Sequence, residues 1–145
     1  MAASTPPPRG YGFMSAGRSE RRTVRADDAV RKGRLAKARQ FLRVAEDAEE
    51  LDDGEGVGDA AVTLYVHAGI AAADAICARA LGVHASGQDH QEAVELLASV
   101  DKEAATELRT LLNMKTRAGY GHDPITSDRL ARAQRAARSL VSRAQ

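Results

Sequence analysis

Residues 59–81 read DAAVTLYVHAGIAAADAICARAL. Ala, Val, Leu and Ile recur here on nearly every face of a helical projection, without the two-residue alternation of a strand. A helix that is apolar all round has to be covered all round, so this segment predicts the central helix of a bundle. Its few polar members stand out against that background. His67 and Asp74 are seven residues apart, two turns, and share one face. They are either polar groups satisfied within a core or dimer seam, or groups that flank a functional site. Cys77 lies among Ala and Ile and is the single cysteine. That excludes an internal disulfide and any cysteine-rich zinc site, and leaves a small buried hydrophobe.

Upstream, LDDGEGVGD at 51–59 places Gly54, Gly56 and Gly58 where helix propensity collapses, with Asp59 available to cap the apolar helix. These glycines are not a phosphate loop, because no strand precedes them and no Lys comes after them in register. Before them, from about Asp27, Leu35, Ala38, Leu42, Ala45 and Ala48 recur at three- and four-residue steps and predict a first amphipathic helix. Residues 1–25 mix Pro, Gly, Ser and Arg without periodicity, so they are expected to be a disordered basic tail ahead of a bundle over 26–145. Arg18, Arg21, Arg22 and Arg25 read as a solvated leader or as a contact to nucleic acid or a partner.

Downstream, Asp89 and Glu92 have capping-box spacing ahead of Val94, Leu97 and Val100. Asp101 and Lys102 kink or restart that helix, and Leu108, Leu111 and Leu112 carry its stripe to about Lys115. The turn AGYGHDPIT at 118–126 ends it through Gly119, Gly121 and Pro124. Thr126 or Ser127 then caps a last helix with Leu130, Ala133, Ala137, Leu140 and Val141 on one side. Arg129, Arg132, Arg135, Arg138 and Arg143 line its other side as a solvated face. No strand and no internal repeat are expected. The fold class is all-α, an up-and-down bundle of four or five helices.

The whole chain agrees with one such domain. It has 145 residues, 43% of them hydrophobic but only 3% aromatic, so the core is built from Ala, Leu and Val. A net charge of +1 argues against a strongly electrostatic, nonspecific nucleic-acid binder. No run of about 18 apolar residues and no signal-peptide block are seen, which reads as a soluble cytoplasmic protein with no membrane partner. Four scattered histidines with no pair on one helical turn predict no metal and no cofactor. A DNA-reading helix-turn-helix lacks its short turn and its base-reading helix start.

Two places read Arg, four residues, His: Arg79 to His84 and Arg117 to His122. Arg79 and His84 straddle the end of one helix and a loop, with nothing to fix their mutual geometry. Arg117 falls in a last helical turn and His122 just past Gly-Tyr-Gly, where a bend can return the imidazole toward the guanidinium. Alternatively Arg117, with Lys115, simply satisfies a helix C-terminus and His122 is an exposed turn residue.

Taken in order, GRLAKARQFLRVAEDAEEL, AAVTLYVHAGIAAADAICARALG, DHQEAVELL, LRTLLNMKTRAGYGH and SDRLARAQRAARSLV resemble the HEPN superfamily over residues of about 30 to 145. That resemblance implies a dimerising helical bundle. In active members it implies a metal-independent endoribonuclease of a toxin or defence type, with its Arg-x4-6-His signature near the start of the final helix. Arg117 and His122 match that signature, and Tyr120 with Gly121 falls where many members carry Tyr-Gly. An imidazole can take or give a proton near neutral pH, and a planar guanidinium can hold a phosphate while a ribose 2′-hydroxyl attacks it. Tyr120, His67 and Asp74 are supporting candidates, Arg129 and Arg132 candidates for RNA contact. The expected partners are a second copy of the chain, RNA, and an antitoxin or other protein. Ala118 stands where active members commonly have a polar residue, and Pro124 where toxins paired with nucleotidyltransferases usually have Tyr. The alternative is therefore a noncatalytic HEPN module for dimerisation or for protein or nucleic-acid binding.

Overall fold

A computed structural model describes residues 22–87 and 89–145. Among them are five helices: α1 (Asp28–Glu50), α2 (Gly58–Leu81), α3 (His90–Ala98), α4 (Lys102–Tyr120) and α5 (Ser127–Ala144). The protein is an all-α bundle with one small antiparallel ribbon, β1 (Thr23–Arg25) and β2 (Val83–Ala85). As expected, α2 is the central element, packed against α1, α4 and α5, with α3 lying on α4. By length and composition α2 could also cross a membrane, but most of its apolar surface is buried inside the bundle.

Local chemistry sets the helix ends. Asp27 caps α1 by accepting from the Val30 amide at 2.9 Å, and Asp101 caps α4 through Ala104 at 3.0 Å. Asp101 therefore restarts the chain as a separate helix rather than kinking a continuous one. Asp89 caps α3, but the expected reciprocal capping box is not closed: Glu92 instead accepts from the Arg22 amide. Thr126 caps α5. Asp59 does not cap α2, whose first residue is Gly58 and whose cap position, Val57, offers no side-chain acceptor. The Asp59 carboxylate lies inside the first turn and accepts from the Ile125 amide at 2.9 Å, tying the α4–α5 loop to α2.

The core is made of small side chains, as the composition requires. Gly69 shows how closely the helices approach: a Cβ there would lie 2.3 Å from Leu111 Cδ1 and 3.2 Å from Leu140 Cδ1. Tyr65 is fully buried, and its hydroxyl joins Glu49 and Gln134, so one polar knot links α1, α2 and α5. Burial, then the Glu49 carboxylate, raises the phenol's pKa above its ordinary value.

The ribbon corrects the expectation of no strands. Thr23 pairs with Ala85, Val24 with His84 and Arg25 with Val83. Three-residue strands about sixty residues apart leave no periodic signal, so only the tertiary fold shows them. They also move the ordered boundary: residues 23–25, assigned to the tail, are strand, and the Arg22 amide before them donates to Glu92, whereas the expectation for residues 1–21, Arg18 and Arg21 included, falls outside the described residues.

Candidate functional site

The matching Arg and His lie at the C-terminal end of α4. The helix runs through Gly119 to Tyr120, so Gly119 does not end it, and the break comes at Gly121. The Gly121 amide donates to the Arg117 carbonyl at 3.1 Å. A Cβ on Gly121 would sit 2.9 Å from that oxygen, which is why glycine suits the turn. Arg117 is exposed, Tyr120 is 85% exposed and the His122 side chain 97%. His122 Nε2 lies 3.6 Å from Asp123. No hydrogen bond or ion pair joins Arg117 to His122 among the described residues. From this end a groove between α2 and α4, lined by Thr63, Leu64, His67, Lys115, Gly119 and Tyr120, leads back along the bundle.

At its far end, sharing His67 and Lys115, that groove opens into a cleft of about 420 Å³ bounded by α1, α2, β2, α3 and α4. Three of the four histidines line it: His67, His84 and His90. Arg34 reaches across from α1, its Nε at 3.0 Å and Nη2 at 2.8 Å from Asp74 Oδ2. Asp74 Oδ1 is 3.9 Å from His84 Nδ1. That nitrogen also lies 2.6 Å from the Ala85 carbonyl, which can only accept, so the proton is on Nδ1 and Nε2 is left as the second ring nitrogen. Lys115 Nζ lies 3.2 Å from His90 Nε2 and donates to its lone pair. His67 packs on Phe41 with ring centroids 5.4 Å apart.

The electrostatics result from this packing. Burial raises the Asp74 carboxyl above its ordinary 3.8, against the opposing pull of Arg34 and His84. Burial, with the Lys115 charge, lowers the His90 imidazole from its ordinary 6.5. The buried Cys77 thiol, near Asp74, is pushed up to about 12 by burial and then by that carboxylate, so it is inert at neutral pH.

His67 and Asp74, read from their common helical face, do line one cavity, with Asp74 satisfied by a partner the sequence could not supply. Arg34, His84, His90 and Lys115 were missed as a group, because they sit at positions 34, 84, 90 and 115 and nothing local links them. Arg79 and His84 are each held, but by different partners, and no contact joins them to each other among the described residues. Arg79 satisfies the C-terminus of α5, donating to the carbonyls of Arg143 at 2.9 Å, Ala144 at 3.2 Å and Gln145 at 3.0 Å.

The arginine face of α5 divides in two. Arg138 pairs with Glu46, and Arg143 fans out to Asp101 at 3.0 Å and Glu103 at 2.8 Å. Glu107 lies 3.3 Å from Arg143 Nε, near enough for charge attraction but not aligned as a hydrogen bond. Arg129, Arg132 and Arg135 enter no ion pair among the described residues. No group of three or more His, Cys, Asp or Glu side chains is placed to hold a metal ion among the described residues.

The described residues form a bundle of five helices with a cationic, histidine-lined cleft at one end of a groove and an exposed Arg-Tyr-His set at the other. No protein-family model matches the chain, and no curated protein matches it in sequence.

Proposed function

We propose that this chain is an up-and-down bundle of the HEPN kind that cleaves RNA without a metal ion, working as a homodimer in the cytoplasm. The observation that carries this reading is the end of α4, where Arg117, Tyr120 and His122 stand in solvent and, among the described residues, only His122 has an oppositely charged group within ion-pair distance, Asp123. Such groups are open to a phosphodiester. In the reaction His122 takes the proton of a ribose 2′-hydroxyl, the oxygen attacks phosphorus, and Arg117 balances the charge that develops on the phosphoryl oxygens. The 5′-oxygen leaves with a proton supplied by the His122 of the second copy, giving a 2′,3′-cyclic phosphate. Arg129 and Arg132, free of ion pairs among the described residues, offer contacts to the flanking backbone. An antitoxin or another protein partner restrains such a nuclease in the cell.

The test is cleavage of a labelled RNA by the full chain in chelator. His122→Ala and Arg117→Ala should each lower the rate roughly a hundredfold or more, with the melting temperature unchanged because neither side chain holds the fold. Cleavage at the wild-type rate by both variants, or no cleavage by the wild type, refutes the reading.

A noncatalytic dimerisation module is the second reading. It is favoured by the lack of any bond between Arg117 and His122 among the described residues and by Ala118, buried at the position next to Arg117. It is distinguished by a stable dimer with no RNA turnover.

A further inference from the structure

We infer that the cleft bounded by Arg34, Asp74, His84 and Lys115 is a binding site for a small organic phosphate monoester, separate from the nuclease site proposed at the end of α4. Its volume of about 420 Å³ falls within the range of small-molecule pockets. The lining has two parts. Ile70, Ala73, Ala93, Leu108 and Leu112 supply an apolar wall, and the His67 ring, steadied by Phe41, offers an aromatic surface beside it. Among the described residues the polar side carries Arg34 and Lys115 against a single carboxylate, so they give the cleft one net positive charge when its histidines are neutral.

The Asp74 carboxylate serves the cations. Asp74 takes both Arg34 contacts on one oxygen and turns the other toward His84, which orients the guanidinium and leaves Arg34 Nη1 with no partner among the described residues. Lys115 commits one of its three donor directions to His90 and keeps two. An orienting carboxylate behind an arginine, a lysine held by a neutral imidazole, and a further imidazole in the same wall make a set of donors held ready before a ligand arrives. A phosphate monoester, a dianion with three terminal oxygens, uses more of these donors than a carboxylate can. The apolar wall and the His67 ring take its organic part. Because five elements close the cleft, it accepts a discrete molecule and not a polymer running through it.

The experiment is calorimetric titration of the full chain with 1-naphthyl phosphate, set beside 1-naphthol, 1-naphthoate and inorganic phosphate. The phosphate monoester should bind saturably, one per chain, about tenfold tighter than each of the other three. Lys115→Gln and Arg34→Gln should each weaken it about tenfold, with melting curves to show that the variants fold. Lys115→Gln carries the test if Arg34→Gln does not fold. His122→Ala should bind as the wild type does, whether or not the chain cleaves RNA, so failure at the cleft and failure at the α4 end are told apart. In the histidine ring proton spectrum the ligand should shift His67, His84 and His90 and leave His122 in place. Equal affinity for 1-naphthol or 1-naphthoate, no saturable binding, or unchanged binding in a folded Lys115→Gln overturns the assignment. So does displacement of the probe by an RNA oligonucleotide lacking terminal phosphates.

Discussion

At the end of α4, Arg117, Tyr120 and His122 project from a helix terminus and a short loop, and all three are exposed. In the cleft, Arg34, Asp74 and His84 come from three different elements and hold one another within hydrogen-bonding or ion-pair distance. The first region tolerates alteration and can matter only for what it does to something else. The second is bound into the fold, so its chemistry and its stability cannot be separated. Exposed polar groups cost little to keep, whereas half-buried charges persist only where partners meet their demand for hydrogen bonds.

Mutations sharpen this contrast. The largest effect is expected on activity: His122→Ala lowers RNA cleavage roughly a hundredfold or more while its urea midpoint stays at the wild-type value. A clear loss of stability in that variant would break the contrast from one side. In the packed interior behind the cleft, Gly69→Val should destabilise by about 1–3 kcal/mol, because Leu111 and Leu140 already occupy the space its side chain needs. Urea unfolding measures this, and an unchanged midpoint would mean that the helices part more easily than their contacts imply. In the cleft itself, Arg34→Gln leaves the half-buried Asp74 carboxylate without its cation and should cost about 1–2 kcal/mol in the same assay, an amount reduced by the solvent that still reaches Arg34. No cost there would make the cleft as loosely held as the α4 end.

Two carboxylates supply a smaller test with opposite signs. The Ala104 amide, and then Arg143, hold the Asp101 carboxyl below its ordinary 3.8. The stability it contributes is therefore present above 3.8 and lost as the pH falls through its lower folded value. Burial raises Asp74 above 3.8, so its contribution is full below that pH and is lost as the pH rises through its higher folded value. Stability measured against pH should accordingly lose part of its acid limb in Asp101→Asn and keep it in Asp74→Asn. The smallest effect is at Cys77, whose thiol, buried and pushed up to about 12, should resist maleimide near neutral pH until the chain unfolds. Rapid labelling of the native protein would mean that the packing around Cys77 opens.

How much of this was legible in advance depended on distance along the chain. The caps at Asp27, Asp89, Asp101 and Thr126 satisfy amides two or three residues away, so residue type and spacing announce them. Asp59 carried the same signal but is engaged instead by Ile125, 66 positions away, because the α4–α5 loop returns over the start of α2. Glu92 likewise left its local partner for Arg22. For the candidate sites the rule is the same. Arg117, Tyr120 and His122 are neighbours in sequence and could be found there, while the cleft remained hidden.

By itself the sequence determined an all-α chain with an apolar central helix, the ends of most helices, and a short Arg-Tyr-His set, since hydrophobic periodicity and capping act over three or four residues. The tertiary structure alone decided the β1–β2 pairing, the Arg79 contacts that close α5, and the meeting of Arg34 with Asp74 and of Lys115 with His90. These contacts join residues between 25 and 66 positions apart. Which of the many distant pairs come together is settled by how the helices pack, and packing is a property of the whole chain at once.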